Sequence, residues 1–282
     1  MEKTINHNNK TAIIILNYNS WKETLIEIQQ CVEVLNHNYQ DIIVIDNCSK
    51  NESGVELKKA SKNLGFYFIQ SNENKGYAFG NNIGLRYAFK KGYNSALILN
   101  NDIIFTDNQL LSKMNSYLQK DPSLAIISPD IFSPSGYMFN RDSKRPTFFD
   151  FTLGMLNYRI RGRKIKDIGG YGYTYRPQGC CMLVKLEILN KVGYLDENTF
   201  LYCEEIIVAE KLLSQNYKCA CCIDCRVIHD HSYTVNSVFK KKNIIKMKNK
   251  SFVYYLVNYR KFGFLKTFLC CLFNTLKLLL LK

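Results

Sequence analysis

Acidic residues run out before this chain does. From Lys240 to Lys282 there are eleven Lys or Arg and not one Asp or Glu, although the whole 282-residue sequence holds 24 acids and a net charge of +14. Everything before Lys240 is therefore close to neutral. A basic surface spread over the folded part, the footprint of a nucleic-acid binder, is missing. Also missing are a Gly-x-Gly-x-x-Gly after the first apolar run and a Gly-Lys-Ser/Thr loop, which argues against a dinucleotide oxidoreductase and a P-loop NTPase. Met1 to Lys10 is polar and Asn-rich rather than a secretory leader, so a reducing, cytosolic setting is expected, with most of the 11 cysteines free. Cys219, Cys221, Cys222 and Cys225 lack a second Cys-x-x-Cys at zinc spacing, so they read as core thiols.

What is present is a regular first half. Ala12–Leu16, Ile42–Ile45, Phe66–Ile69 and Ala96–Leu99 are short apolar runs of strand length, each expected to be buried on both faces. Helical spacing fills the gaps, through Leu25, Ile28, Val32 and Leu35, then Val55, Leu57 and Ala60, then Ala78, Ile83, Leu85 and Ala88. Ser20 is placed to cap the first helix. Such alternation predicts an α/β fold, a Rossmann-like mostly parallel sheet with helices on both faces. Gly76, Gly80 and Gly84 share one helix face, suited to close packing on the sheet. Later, Asp121 to Pro129 reads as a loop, a short strand and a turn, and residues 133–176 as an irregular acceptor-facing segment. Gly179–Val184 reads as a strand, and Leu186 to Val192 as a helix ending at Gly193.

Three of the four early strands end in Asn and Asp. At the carboxyl edge of a parallel sheet, where ligands bind, such clusters suggest a polar pocket. Asn17, Tyr18 and Asn19 follow the first strand, Asp46 and Asn47 the second, and Asn100, Asn101 and Asp102 the fourth. A carboxylate there can hold a hard divalent cation, which in turn holds phosphates. Glu204 and Glu205 stand at a predicted helix N-terminus, where the macrodipole favours the ionised form and thus a general base. Val227-Ile228 is a strand leading into His229-Asp230-His231-Ser232.

Taken together, Ile15–Asn19, Val44–Ser49, Asn74–Ala78, Asn81–Gly84, Leu99–Asp102, Gly179–Leu183, Val192–Glu197, Glu204-Glu205 and Val227–His229 resemble, in order over about residues 11–235, the inverting glycosyltransferases of family two. The similarity is nearest to the rhamnosyltransferase-like enzymes of bacterial capsule and O-antigen synthesis. It implies the GT-A fold, with a nucleotide-sugar half at about 11–110 and an acceptor half at about 111–235. Tyr18 and Asp46 fall where the family holds base and ribose, and Asn74, Lys75 and Asn81 where it lines the nucleotide–phosphate site. Asn17, Asn19, Asn47 and Asn101 are expected beside them, with Gly179 and Asp196 on the acceptor side. Asp102 takes the last acid of the Asp-x-Asp metal motif, whose first place is Asn100 here, and His229 matches a histidine that completes a Mn²⁺ or Mg²⁺ site. Glu205 occupies the family's base position with Glu204 before it, while a further family acid is replaced by Ile207. The donor implied is UDP- or dTDP-linked, and the acceptor a lipid-linked saccharide or polysaccharide.

Residues 236–282 are expected to form a basic, amphipathic helical tail apart from a catalytic domain over 1–235. Its apolar stretch from Phe262 is interrupted by Lys266 and Lys277, three turns apart on one stripe with Gly263 and Asn274 nearby. A helix of that kind lies in a membrane interface, its lysines on anionic headgroups. The expectation is a cytoplasmic protein, peripheral on the inner membrane face, without a nucleic-acid partner. The alternatives are a nucleotidyltransferase, though Asn17–Ser20 lacks that class's Gly-rich basic loop, and a non-catalytic membrane- or nucleic-acid-binding protein.

Overall fold

The computed structural model describes residues 10–139, 141–154, 164–230 and 241–280. His231, the start of the tail and part of the 133–176 segment lie outside the described residues. The first half alternates as its sequence pattern predicts: β1 (Thr11–Asn17), α1 (Trp21–Glu33), β2 (Ile42–Asp46), α2 (Ser53–Leu64), β3 (Tyr67–Gln70), α3 (Tyr77–Lys90) and β4 (Ser95–Leu99). Then come β5 (Ile103–Phe105), α4 (Leu110–Lys120), β6 (Leu124–Phe132), α5 (Phe148–Phe151), β7 (Tyr171–Thr174), β8 (Cys181–Lys185), α6 (Leu186–Lys191), α7 (Glu204–Leu213) and β9 (Lys218–His229). Two long helices follow, α8 (Lys241–Asn258) and α9 (Phe264–Leu280).

All strands join one sheet, ordered β3-β2-β1-β4-β8-β6-β9-β5, with β7 on the far side of β9. The run β3-β2-β1-β4 is parallel throughout, whereas β8 is antiparallel to both β4 and β6. Alternate residues of each strand feed two cores. Ile13, Ile15, Val44, Leu97 and Leu99 pack with α1, α2 and α4 on one face, and Ile14, Ile43, Ile45 and Ile98 with α3, α6 and α7 on the other. Strand β3 departs from the expected two-sided burial: it is the sheet's edge, and Tyr67 is exposed. The segment before Pro129 also departs, forming one nine-residue strand, β6, with a register shift between Pro129 and Asp130. A proline is tolerated in a strand at such an irregularity, where a ladder bond is already lost.

Gly80 and Gly84 do pack on β1, since a Cβ at either would strike Leu16 or Ile14. Gly76 does something else. It precedes α3 at φ +102, and a Cβ there would fall 1.8 Å from the Phe200 carbonyl oxygen. The cysteines of β9 are buried core residues, and Cys222 and Cys225 are paired as a disulfide.

The C-terminal helices are not a separate appendage. Tyr255 is fully buried with Ile207, Leu256 and Cys270, and its hydroxyl lies 2.8 Å from that of Tyr175. Arg145 forks onto the buried Glu210 carboxylate, which also accepts from the Tyr175 hydroxyl at 2.7 Å. Tyr254 and Tyr259 both donate to Asp196. The boundary expected at 235/236 therefore cuts through a core. Tyr255→Ala is expected to cost about 3–5 kcal/mol, the range for emptying a buried aromatic site, read as a lower denaturant midpoint. Tyr255→Phe keeps the packing and should lose only about 1 kcal/mol.

Candidate active site

Strand register assembles the site. Pairing Ile103 with His229 brings the end of β9 beside the turn that leaves β4, so His229 Nε2 lies 3.0 Å from Asp102 Oδ1. Pairing Leu99 with Cys181 sets Gly179 and Cys180 next to Asn100, whose backbone N–H donates to the Cys180 carbonyl. Beside Gly179, α7 begins with Glu204 and Glu205. A cleft of about 440 Å³ is lined by Asn100, Gly179, Cys180, Glu204, Glu205 and His229.

The two glutamates are not equivalent. Burial, reinforced by the charge on Glu205, pushes the Glu204 carboxyl up to about 8. Its Oε1 has no hydrogen-bond partner among the described residues. Glu205 is only half-buried, with its side chain against Gly179. Near neutral pH Glu204 thus keeps its proton and stands in the cleft as a neutral acid beside Glu205. The turn that aims them is strained, with Tyr202 and Cys203 both left-handed at φ 73 and 71. Such conformations persist only where neighbours over-determine them. Here Ser251 donates to the Leu201 carbonyl at 2.8 Å, and Lys248 lies over the Tyr202 ring.

Gly179 matters as empty space. A Cβ there would sit 2.7 Å from Glu205 Oε1, and its own carbonyl accepts from the Tyr77 hydroxyl at 2.6 Å. Gly179→Ala is expected to push the Glu205 carboxylate aside and cut the transfer rate by about 10²-fold, the scale of a 1 Å misplacement at a reacting group. Donor affinity should barely change, as equilibrium titration would show.

The other predicted site residues fall into a second group. Asn17 and Asp46, both fully buried, are locked together at 2.7 Å, and Asp46 also accepts from Ser49. Asn47 donates to Asn74 and to the Gly76 carbonyl. Asn19 adopts φ 59 and accepts from the Lys50 N–H. Ser20 sits at the N-cap position of α1, yet its hydroxyl makes no cap and instead accepts from Asn101 at 2.8 Å. Asn101 also donates to Thr24. These amides brace the strand ends, leaving Tyr18, half-buried, and Lys75, exposed beside Glu73 and Phe79, as the more accessible members. Asn81 is buried within α3 and donates to the Tyr77 carbonyl. Asp196 does not line the cleft. Burial alone would raise its carboxyl, but hydrogen bonds from Tyr259, Asn198 and Tyr254 outweigh that and hold it low, as a clamp on α8.

Sequence reasoning missed Tyr77, Arg176, Gln178, Lys248, Phe252 and Asn274, all of which line the cleft. The last three come from α8 and α9. The signal was there in Phe252, Tyr255, Leu256 and Tyr259, an i, i+3, i+4, i+7 apolar stripe.

Among the described residues no cluster of three His, Cys, Asp or Glu could close around a metal ion. Asp102 and His229 nonetheless converge as one carboxylate and one imidazole at strand ends, with Asn100 nearby. That donor set fits an ion taking its remaining ligands from water and substrate phosphates.

Comparison with known proteins bears on all of this. The model of the family described as glycosyl transferase family 2 matches residues 12–193. The low-salt glycan biosynthesis hexosyltransferase of Haloferax volcanii is 25% identical over 224 residues, 78% of this chain and 66% of its own length. The O-antigen chain rhamnosyltransferase of Salmonella typhimurium is 25% identical over 241 residues, 82% of this chain and 70% of its own. Among solved structures, a mannosyltransferase from Pyrobaculum calidifontis in complex with GDP-Man and Mn²⁺ superposes with a TM-score of 0.60 at 14% identity, covering 90% of this chain and 65% of that one. The chain thus spans about two thirds of each of these proteins, and it shares the GT-A fold with the last.

Proposed function

The chain belongs to glycosyl transferase family 2, and from that premise we propose that it moves a hexosyl or rhamnosyl group, with inversion, from a UDP- or dTDP-linked donor to a lipid-linked or polysaccharide acceptor. Surface-glycan synthesis at the cytoplasmic face of a bacterial membrane is the setting we infer. The observation that supports it best is that one cleft holds the unequal glutamate pair together with Asn100 and His229, whose imidazole reaches Asp102.

In this reading Glu205 accepts the acceptor's hydroxyl proton as that oxygen attacks the anomeric carbon. The new C–O bond forms opposite the breaking bond to the nucleoside diphosphate, whose oxygen leaves with the electron pair. Glu204, protonated and buried, keeps a second negative charge out of the cleft. Tyr77 fixes the Gly179 carbonyl and with it the floor against which Glu205 rests. A Mn²⁺ or Mg²⁺ ion on Asp102 and His229, with Asn100 beside them, would supply charge neutralisation to the leaving diphosphate.

A panel of nucleotide sugars, assayed with Mn²⁺ and Mg²⁺ for released nucleoside diphosphate, tests the assignment. One donor, or one nucleotide class, should be consumed well above the rest. Release from none of them, with or without saccharide acceptors, would overturn it.

A further inference from the structure

The sequence sets Lys266 and Lys277 on one polar stripe of the last helix, with Gly263 and Asn274 nearby. Lys266 is exposed in the structure, but the neighbouring amide is turned toward α8. Asn274 faces inward, donating to Asn249 of α8 at 3.2 Å and lining the cleft, while Thr267 and Cys270 are buried. What α9 presents outward is Phe264, 88% exposed, and Leu265, 67% exposed, followed at four-residue steps by Phe268, Leu272 and Leu276, all exposed. A surface helix normally shows solvent its charged face. Contiguous apolar exposure of this kind marks an interaction surface.

The charge around the stripe identifies the partner. Lys261 and Lys266 are exposed at the start of α9, and α8 exposes Lys246 and Lys250 ahead of Val253 and Val257. No acid occurs anywhere from Lys240 onward. A second copy of this chain docking here would bring lysine against lysine, which opposes association. An anionic surface that also accepts apolar side chains has neither problem. Among the described residues no helix is long and apolar enough to cross a membrane. We propose that the outer face of α9, with the lysines of α8 and α9, docks in the plane of an anionic phospholipid bilayer.

This deepens the membrane setting inferred above by naming the surface responsible. It also explains the arrangement of α9, since the helix with its outer face in lipid carries Asn274 on the wall of the cleft. An acceptor held in that bilayer then approaches the glutamates from the side of α8 and α9.

The test is flotation of the full chain with vesicles of phosphatidylcholine alone or mixed with phosphatidylglycerol. Phe264→Asp/Phe268→Asp and Lys246→Glu/Lys250→Glu are run beside wild type, with sedimentation velocity in parallel. Wild type should float with the mixed vesicles and weakly with the neutral ones. Each double variant should lose at least about tenfold in vesicle affinity, given the transfer energy of two aromatic rings or the attraction of two lysines. Donor-dependent release of nucleoside diphosphate should be unchanged, because none of the four positions lines the cleft. Wild type that stays in solution with both vesicle types overturns the proposal. So does undiminished flotation of the Phe264→Asp/Phe268→Asp variant, or a wild-type dimer that this variant dissolves. A protein that floats but consumes no donor would fail the enzymatic reading alone, and one that consumes donor but never floats would fail only this one.

Discussion

Glu205→Gln should bind donor as wild type does and transfer sugar about 10²–10⁴ times more slowly, the usual contribution of a positioned general base. The substitution keeps the side chain's size against Gly179 and removes only its basicity. Glu204→Gln should behave differently. Its carboxyl, raised to about 8, is already neutral at pH 7, so a neutral amide is a close replacement and the rate should fall by no more than about tenfold. The sign of its linkage gives an independent check. Between pH 4.5, the ordinary value, and about 8 the folded chain keeps a proton that the unfolded chain has released. Stability therefore declines as pH rises through that window and levels off above it. Glu204→Gln removes this decline, so its melting temperature should exceed that of wild type at pH 9 by more than at pH 5. In Glu205→Gln the neighbouring charge is gone, and the decline should end at lower pH. If Glu204→Gln abolished turnover and Glu205→Gln did not, the roles would have to be exchanged.

The second large effect concerns the metal corner. Asp102→Ala and His229→Ala should each weaken Mn²⁺ binding in the presence of nucleoside diphosphate by at least about 100-fold, since losing even an outer partner of a metal ligand costs 10–100-fold. Calorimetry or Mn²⁺ paramagnetic resonance reads this without any turnover. Asn100→Asp, which restores a second carboxylate, should tighten binding. Unchanged Mn²⁺ affinity in both alanine variants would show that these two side chains form a structural pair rather than ligands. Far-UV circular dichroism guards against loss of fold, for Asp102 also sits one residue before β5, whose Ile103 N–H is held by the buried Glu27 carboxylate of α1.

Much of this arrangement was legible in the residues. Continuous apolar runs such as Ile13–Leu16 and Ile42–Ile45 can be satisfied only inside a sheet covered on both faces, and the acid pair before Ile206 could begin only a helix. The strand-end amides were harder. Their composition suggested a polar pocket but not that register sets Asn17 opposite Asp46, where the buried amide bonds the buried carboxylate. Composition cannot reveal that bond, because it depends on which strands pair. Pro129 misled for a related reason: its turn propensity was overridden by a register shift within β6. The tail was read by charge, and its aromatic stripe at Phe252 and Tyr255 found its partners in Tyr175 and Ile207, too far back for any local pattern to show.

The contribution of α8 and α9 to the cleft has a consequence for how the molecule comes into being. Lys248, Phe252 and Asn274 are translated after every other residue that lines the cleft. A chain folded only as far as β9 has Glu204, Glu205 and His229 without the α8 and α9 side chains that complete the cleft beside them. Completing it requires contacts spanning dozens of residues, such as Tyr255 to Tyr175, which form late because their loop entropy must be met first. The cleft is complete only when α9, which also carries the exposed apolar stripe of Phe264, Leu265 and Phe268, has folded back. On the proposed reading, the transfer site and the docking face are therefore finished in the same step of biogenesis.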